Sequence, residues 1–261
     1  MKKRFFGVAL FALIATNAFA DFIWDPLTIG YSNIYFSEKV QVKYSDKYTN
    51  PLITGESFTD KASASMNNVG FMPLLAGLGY MPKDKGFYFM WENFLGIGKT
   101  KVKHKKLDEE FFDENEKSEH SSSFDYSSTF IFGYAFSPMQ DLYVSFGSGL
   151  AFGLAAGSDS RPELKNSTST MTRRKEINAA FVGIPLDVTG RYFFHKHVGI
   201  LFGLQDTILI NIKNDGATSA SIHAFDNSSG NSSAGACYAN NNKKGSTGNK
   251  FTLKLGLTTR W

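Results

Sequence analysis

The feature that most constrains this chain is an alternation of period two, with bulky apolar residues on one face and glycine, serine, threonine and charge on the other. Phe251, Leu253, Leu255 and Leu257 alternate with Thr252, Lys254, Gly256 and Thr258. Val198, Ile200, Phe202 and Leu204 alternate with Gly199, Gly203 and Gln205, and Leu142, Val144 and Phe146 with Ser145 and Gly147. That period belongs to β-strands with one face against an apolar medium. Eight segments show it, beginning near Leu27, Met72, Phe87, Phe124, Leu142, Ala180, Val198 and Phe251. In the second, Met72, Leu74, Ala76, Leu78 and Tyr80 fall on the greasy face, with Phe71, Gly77 and Gly79 opposite. Because the bulkier face is the greasier one, the apolar medium lies outside the sheet.

The connections alternate between short and long. Segments 82–85, 137–141 and 195–197 have the length of tight turns, whereas 37–66, 103–123, 158–176 and 213–249 are long and polar. Short turns on one side and long loops on the other are the pattern of outer-membrane barrels. Lipid offers backbone groups no hydrogen-bond partner, so a sheet there must close on itself. Tyr80, Phe87, Tyr134, Phe136, Tyr192, Phe194 and Trp261 fall beside the short turns, and Tyr35, Phe124 and Tyr126 near the long loops, as two interfacial girdles. The expected fold is all-β: an eight-stranded antiparallel up-and-down transmembrane β-barrel with short periplasmic turns and long extracellular loops. Beyond residue 20 no run of apolar residues is long enough to span a membrane as a helix, and the uncharged stretch Leu142 to Ser158 is broken by glycines and serines, which excludes a helical membrane protein.

Residues 1–20 have the parts of an export signal: basic Lys2, Lys3 and Arg4, an apolar run from Phe5 to Ala15, and Ala18 and Ala20 flanking Phe19. Cleavage after Ala20 leaves 21–261 as a single barrel domain. The formal charge of +4 then falls by those three basic residues to +1, a balance that argues against nucleic acid as a partner. The single cysteine, Cys237, excludes an internal disulfide framework.

The C-terminal strand carries the most specific sequence signal. Phe251, Leu253, Leu255, Leu257 and terminal Trp261 resemble the signal by which small outer-membrane barrels are recognised by the barrel-assembly machinery. On this strand and the architecture above, the chain resembles the small eight-stranded outer-membrane barrels typified by the OmpA membrane domain, OmpX and OmpW. Gly183 to Ile200, with Tyr192, Phe193 and Phe194 before a turn, also resembles small spirochaetal barrels of unassigned function. The resemblance implies residence in the outer membrane of a diderm bacterium. It departs at Thr259, where a bulky residue is usual, and at Trp261, where phenylalanine is commoner.

An eight-stranded barrel has a lumen that side chains can fill. Parity turns Glu92, Asp187, Arg191, Lys254 and Arg260 inward, together with Gln205 and Tyr143, and charges in so dry a space should pair. A closed or very narrow lumen is therefore expected. Asn93, Ser148 and Asp206 have lipid-facing parity in otherwise apolar strands, which calls for a bulge or placement at the rim. Lys99, Lys101, Lys103 and Lys105 continue the outward parity of the third strand past the membrane, and with Arg173 and Arg174 form a candidate headgroup-binding set.

Catalytic patterns are scarce. The five histidines show no His-x-x-x-His spacing, and His195 and His197 bracket a lysine, so no metal and no cofactor are expected. His120 and Ser121 are adjacent, which in a strand puts them on opposite faces, poorly set for proton transfer. No enzymatic activity is expected. Segment 108–116 is acidic without the spacing of a calcium loop, and 215–249 is rich in serine, glycine and asparagine, read as flexible. The expected function is structural or surface interaction through the loops, with outer-membrane lipid and host or envelope molecules as partners. A narrow OmpW-like channel or carrier for small apolar solutes is the alternative, and a lipid-modifying enzyme the least favoured.

Overall fold

A computed structural model describes residues 20–46, 57–104, 120–166, 169–216, 219–226, 232–240 and 247–261. The proposed export signal, apart from Ala20, lies outside them, as do Lys105 and the acidic segment 108–116. Among the described residues there are ten strands: β1 Ala20–Asp46, β2 Ser57–Pro82, β3 Lys85–His104, β4 His120–Met139, β5 Leu142–Asn166, β6 Ser169–Tyr192, β7 Val198–Gly216, β8 Ser219–Asp226, β9 Ser232–Asn240 and β10 Thr247–Arg260. Each of β1 to β6 pairs antiparallel with the strand that follows it, β7 pairs with β10, and β10 returns to β1. That ring is an eight-stranded antiparallel up-and-down transmembrane β-barrel.

The three turns expected at one end are tight. Ser137 N–H donates to the Asp84 carbonyl at 2.8 Å, and His195 and Val198 exchange backbone bonds at 3.1 and 3.3 Å. Asp141 adopts a left-handed conformation, φ 64°, which a short Asp side chain tolerates in a turn. Around the ring, outward residues such as Phe87, Phe132, Phe146, Leu186, Phe202 and Leu255 are exposed as a continuous apolar belt. Their inward neighbours Tyr88, Ile131, Ser145, Asp187, Gly203 and Lys254 are covered. For a protein in water such a belt would be untenable; in lipid it is the favourable surface.

The long connections expected as loops are largely strand. β1 and β2 remain paired out to Lys43 and Ser57, and β5 and β6 out to Asn166 and Ser169. The alternation continues there with its faces exchanged. Ile34, Phe36, Ala64, Met66, Val102, Ile177, Ala179 and Phe181 point inward and are buried, while Ser63, Ser65, Lys99 and Lys101 point outward. Beyond the bilayer the outside is water, so apolar residues move to the lumen and polar ones to the wall. The segment expected to be flexible, 215–249, also forms strands. β8 and β9 pair with each other, β8 pairs with β6, and β9 with β1. The hairpin thus covers the β6 and β1 edges that β7 and β10 leave when they end, and an uncovered edge is a liability.

The second strand departs from its expected parity. Between Gly70↔Gly96 and Gly77↔Glu92, six residues of β2 face three of β3. Leu74 in this bulge has φ 63°, and Leu74 and Leu75 protrude from the outer wall. The bulge switches faces along β2, so Phe71 is exposed and Ala76 buried, the reverse of the simple alternation. A smaller irregularity at Pro26 does the same in β1, turning Asp25 inward.

Candidate functional site

Four layers of side chains fill the lumen, in an order set by strand register. Nearest the tight turns, Ile23, Met81, Tyr88, Met90, Ile131, Ala135, Tyr143 and Phe193 pack together. Beneath this layer Arg260 donates to the Asp141 carboxylate at 2.6 Å, to Tyr143 Oη at 3.1 Å and to the Lys196 carbonyl at 2.9 Å. Its guanidinium also lies 4.3 Å from the centre of the Phe193 ring. Arg260 therefore stands apart from the other four lumen charges named from parity.

Those four meet in the second layer. Lys254 Nζ donates to Glu92 Oε2 and, at 2.9 Å, to Asp187 Oδ2. Arg191 donates to Asp25 Oδ2 at 2.9 Å and lies 3.8 Å from Glu92. Gln205 reaches both Glu92 and Asp187, at 3.5 and 3.4 Å, and Thr189 donates to Asp187 at 2.9 Å. The cluster ties together β1, β3, β6, β7 and β10. Asp25 is the member that parity missed, because the Pro26 irregularity alone turns it inward.

A third layer was also missed. Lys250 Nζ donates to Asp125 Oδ2 and, at 2.8 Å, to Ser127 Oγ, with the Phe94 ring 4.9 Å away. Asp125 further accepts from Ser32 at 3.1 Å and from Asn68 at 2.6 Å, while Ser123 donates to Asn68 Oδ1. Both residues have the inward parity of their strands: Asp125 lies between outward Phe124 and Tyr126, and Lys250 one position before outward Phe251. The fourth layer is apolar: Ile34, Phe36, Met66, Val102, Ile177, Phe181 and Leu209, with small alanines between.

The three pattern-breaking residues receive separate answers. Asn93 lies under the β2 bulge, where its amide donates to the Leu75 carbonyl at 2.9 Å and its oxygen accepts from Tyr126 at 3.1 Å. Trp24 Nε1 likewise donates to the Leu74 carbonyl at 2.7 Å. Side chains thus replace the backbone ladder that the bulge interrupts. Asn93→Leu should remove one of these bonds and strand a carbonyl, costing about 1–3 kcal/mol; urea unfolding of the refolded barrel measures it. Ser148 donates to the Pro185 carbonyl at 2.7 Å. Asp206 remains exposed on the outward face between Leu204 and Ile208, opposite Phe251 of β10.

The outward basic residues Lys99, Lys101 and Lys103 are exposed along β3 directly above Ile97, itself 68% exposed in the apolar belt. Arg173 and Arg174 lie in β6 opposite Ile222 and Ser221 of β8, and their side chains lie outside the described ones. On the last strand Phe251, Leu255, Leu257 and Trp261 are exposed on one face with Leu253 half-buried among them. Trp261 stacks on His197 at 5.1 Å, and His197 Nδ1 bonds the Arg260 carbonyl at 2.9 Å. Ser121, on the exposed strand end beside His120, has its hydroxyl bonded to the Thr100 carbonyl and accepts from Thr100 N–H at 2.7 Å.

A family model described as a domain of unknown function, DUF2715, matches residues 27–261, which takes in the ring from within β1 to the last strand. The chain belongs to the DUF2715 family. No curated protein matches it in sequence. Among solved structures the DUF2715 barrel is similar to the outer membrane protein OprG of Pseudomonas aeruginosa, at 10% identity and a TM-score of 0.41, covering 93% of this chain and 96% of that one. It is also similar to Ail, the attachment invasion locus protein of Yersinia pestis, at 14% identity and a TM-score of 0.37, covering 92% and 99%. The outer membrane protease OmpT of Escherichia coli gives 10% identity and a TM-score of 0.29, covering 93% and 96%.

Proposed function

We propose that this DUF2715 barrel is a closed scaffold in the outer membrane of a diderm bacterium, acting through its outer surface on envelope or host molecules and carrying out no reaction of its own. Export would use the signal over residues 1–20. Insertion would use the barrel-assembly machinery, which reads Phe251, Leu253, Leu255, Leu257 and Trp261. Lys99, Lys101 and Lys103, with Lys105, Arg173 and Arg174, would anchor the barrel to anionic lipid headgroups.

The observation that carries this reading is the lumen, filled by two apolar layers with two hydrogen-bonded charged layers between them. An ion crossing it would have to displace packed side chains at both ends and a paired charge in the middle. The expected result in a planar bilayer is silence from the refolded mature protein, with heat-modifiable gel mobility as the check on folding. Steady conductance from folded protein would overturn the closed-scaffold reading. Glu92, Asp187, Arg191 and Lys254 would then be the first residues to replace.

A second reading has one observation in its favour. The six-against-three mismatch between β2 and β3 leaves the barrel wall held locally by the Asn93 and Trp24 side chains instead of the backbone ladder. A wall of that kind suits a carrier that releases small apolar solutes sideways into lipid. Uptake of such a solute into vesicles, raised by Asn93→Leu, would favour it over the scaffold.

A further inference from the structure

The lysines of β3 form a vertical series, and height distinguishes one class of lipid from another. Successive outward residues on a strand lie two positions apart, about 6.8 Å along the strand; with a barrel tilt of about 40° each step rises about 5 Å from the bilayer. Lys99, next above the lipid-exposed Ile97, therefore stands at the headgroup phosphates, Lys101 one step above, and Lys103 about 10 Å above Lys99. A lysine stem can bend down to reach its headgroup, but Lys103 is too high to reach the plane that Lys99 occupies.

The surface around them is one-sided in charge. Across Lys99, Lys101 and Lys103 in register stand Asn67, Ser65 and Ser63 of β2. Above the belt, the described outward positions of β1 to β5 include Asn33, Ser37, Ser122, Ser158 and Ser160 and no carboxylate. The nearby acids Asp125 and Asp159 point into the lumen and are buried. Among the described residues nothing on this wall neutralises the lysines, and the series runs without a break into the lipid-facing belt.

We propose that the outward face of β3 seats an outer-leaflet glycolipid whose headgroup carries phosphate at two or more heights. This rests on the headgroup-anchoring reading above and adds the shape of the ligand. Acyl chains lie on the belt around Ile97 and Val69, the phosphate nearest the glycerol meets Lys99, and phosphate carried further out on the sugar meets Lys101 and Lys103. A phospholipid with all its phosphate in one plane engages the lowest lysine and leaves the upper two in water.

The test is native mass spectrometry of the refolded full barrel in detergent, titrated with three probes. Phosphatidylinositol has one phosphate, cardiolipin has two at one height, and phosphatidylinositol bisphosphate has one at the glycerol and two more further out on its inositol ring. The expected result is preferential retention of the bisphosphate over cardiolipin. Lys101→Gln/Lys103→Gln should weaken only the bisphosphate, by about twenty-five-fold at roughly five-fold per lysine, while Lys99→Gln weakens all three. Heat-modifiable mobility checks that each variant has folded. Equal retention of cardiolipin and bisphosphate, with equal losses in every lysine variant, would overturn the two-height ligand and leave simple anchoring standing. Retention unchanged in Lys99→Gln/Lys101→Gln/Lys103→Gln would overturn both.

Discussion

Lys254→Met should cost the barrel about 3–5 kcal/mol, the penalty for breaking a buried ion pair by removing one partner. Lys254 is the only cation bonded to both Glu92 and Asp187 among the described residues. Without it, Asp187 keeps Gln205 and Thr189, and Glu92 keeps Gln205 and an Arg191 guanidinium 3.8 Å away that is already engaged with Asp25. A low-dielectric lumen gives the stranded carboxylates no water in exchange. Urea unfolding followed by heat-modifiable mobility measures the loss. The triple variant Glu92→Gln/Asp187→Asn/Lys254→Met, which removes the charges together, should recover most of it. A single variant as stable as the parent would mean that the cluster contributes nothing to closure.

Gly70→Val should destabilise by about 3 kcal/mol, the upper end of the usual cost of overpacking. Gly70 lies under the ring of Phe94, and a Cβ built there would coincide with the ring's outer carbons. Phe94 is buried with Lys250 Nζ 4.9 Å from its ring centre, so displacing the ring would disturb the Lys250–Asp125 pair. Phe94→Ala in the same chain should restore much of the stability by clearing the space. The same unfolding assay decides it, and a Gly70→Val barrel that keeps its stability without the second change would show that the ring has another place to go.

How far the fold was legible depends on which solvent each segment meets. Inside the bilayer, β3, β5, β6, β7 and β10 kept the alternation expected of them, because lipid on one side and a narrow polar lumen on the other impose a single sorting rule. Parity alone brought Glu92, Asp187, Arg191 and Lys254 to one layer. Asp125 and Lys250 share that inward parity, Asp125 between Phe124 and Tyr126 and Lys250 just before Phe251, but only the register that pairs β10 with its neighbours sets them at one height. Past the bilayer the same rule inverts, so Ala64 and Met66, read as part of a loop, and Ile34, Phe36 and Val102 beside such segments point into the lumen from strands whose outward faces carry serines and lysines.

The sequence by itself determined the ring: period-two faces, tight turns at one end, and a medium that forbids open edges leave closure as the answer. Only the tertiary structure decided where that period breaks. The bulge at Leu74 and the irregularity at Pro26 shift residues from one face to the other, and no local preference reveals how many residues of β2 will face β3. Arg260 and Asp25 show the result. The strand parity of Arg260 named it a lumen charge, yet its height sets it against Asp141 at the turns; Asp25 had the wrong parity and holds Arg191. Register and height are properties of neighbouring strands paired around a closed ring, and pairing across the ring joins residues far apart in the chain.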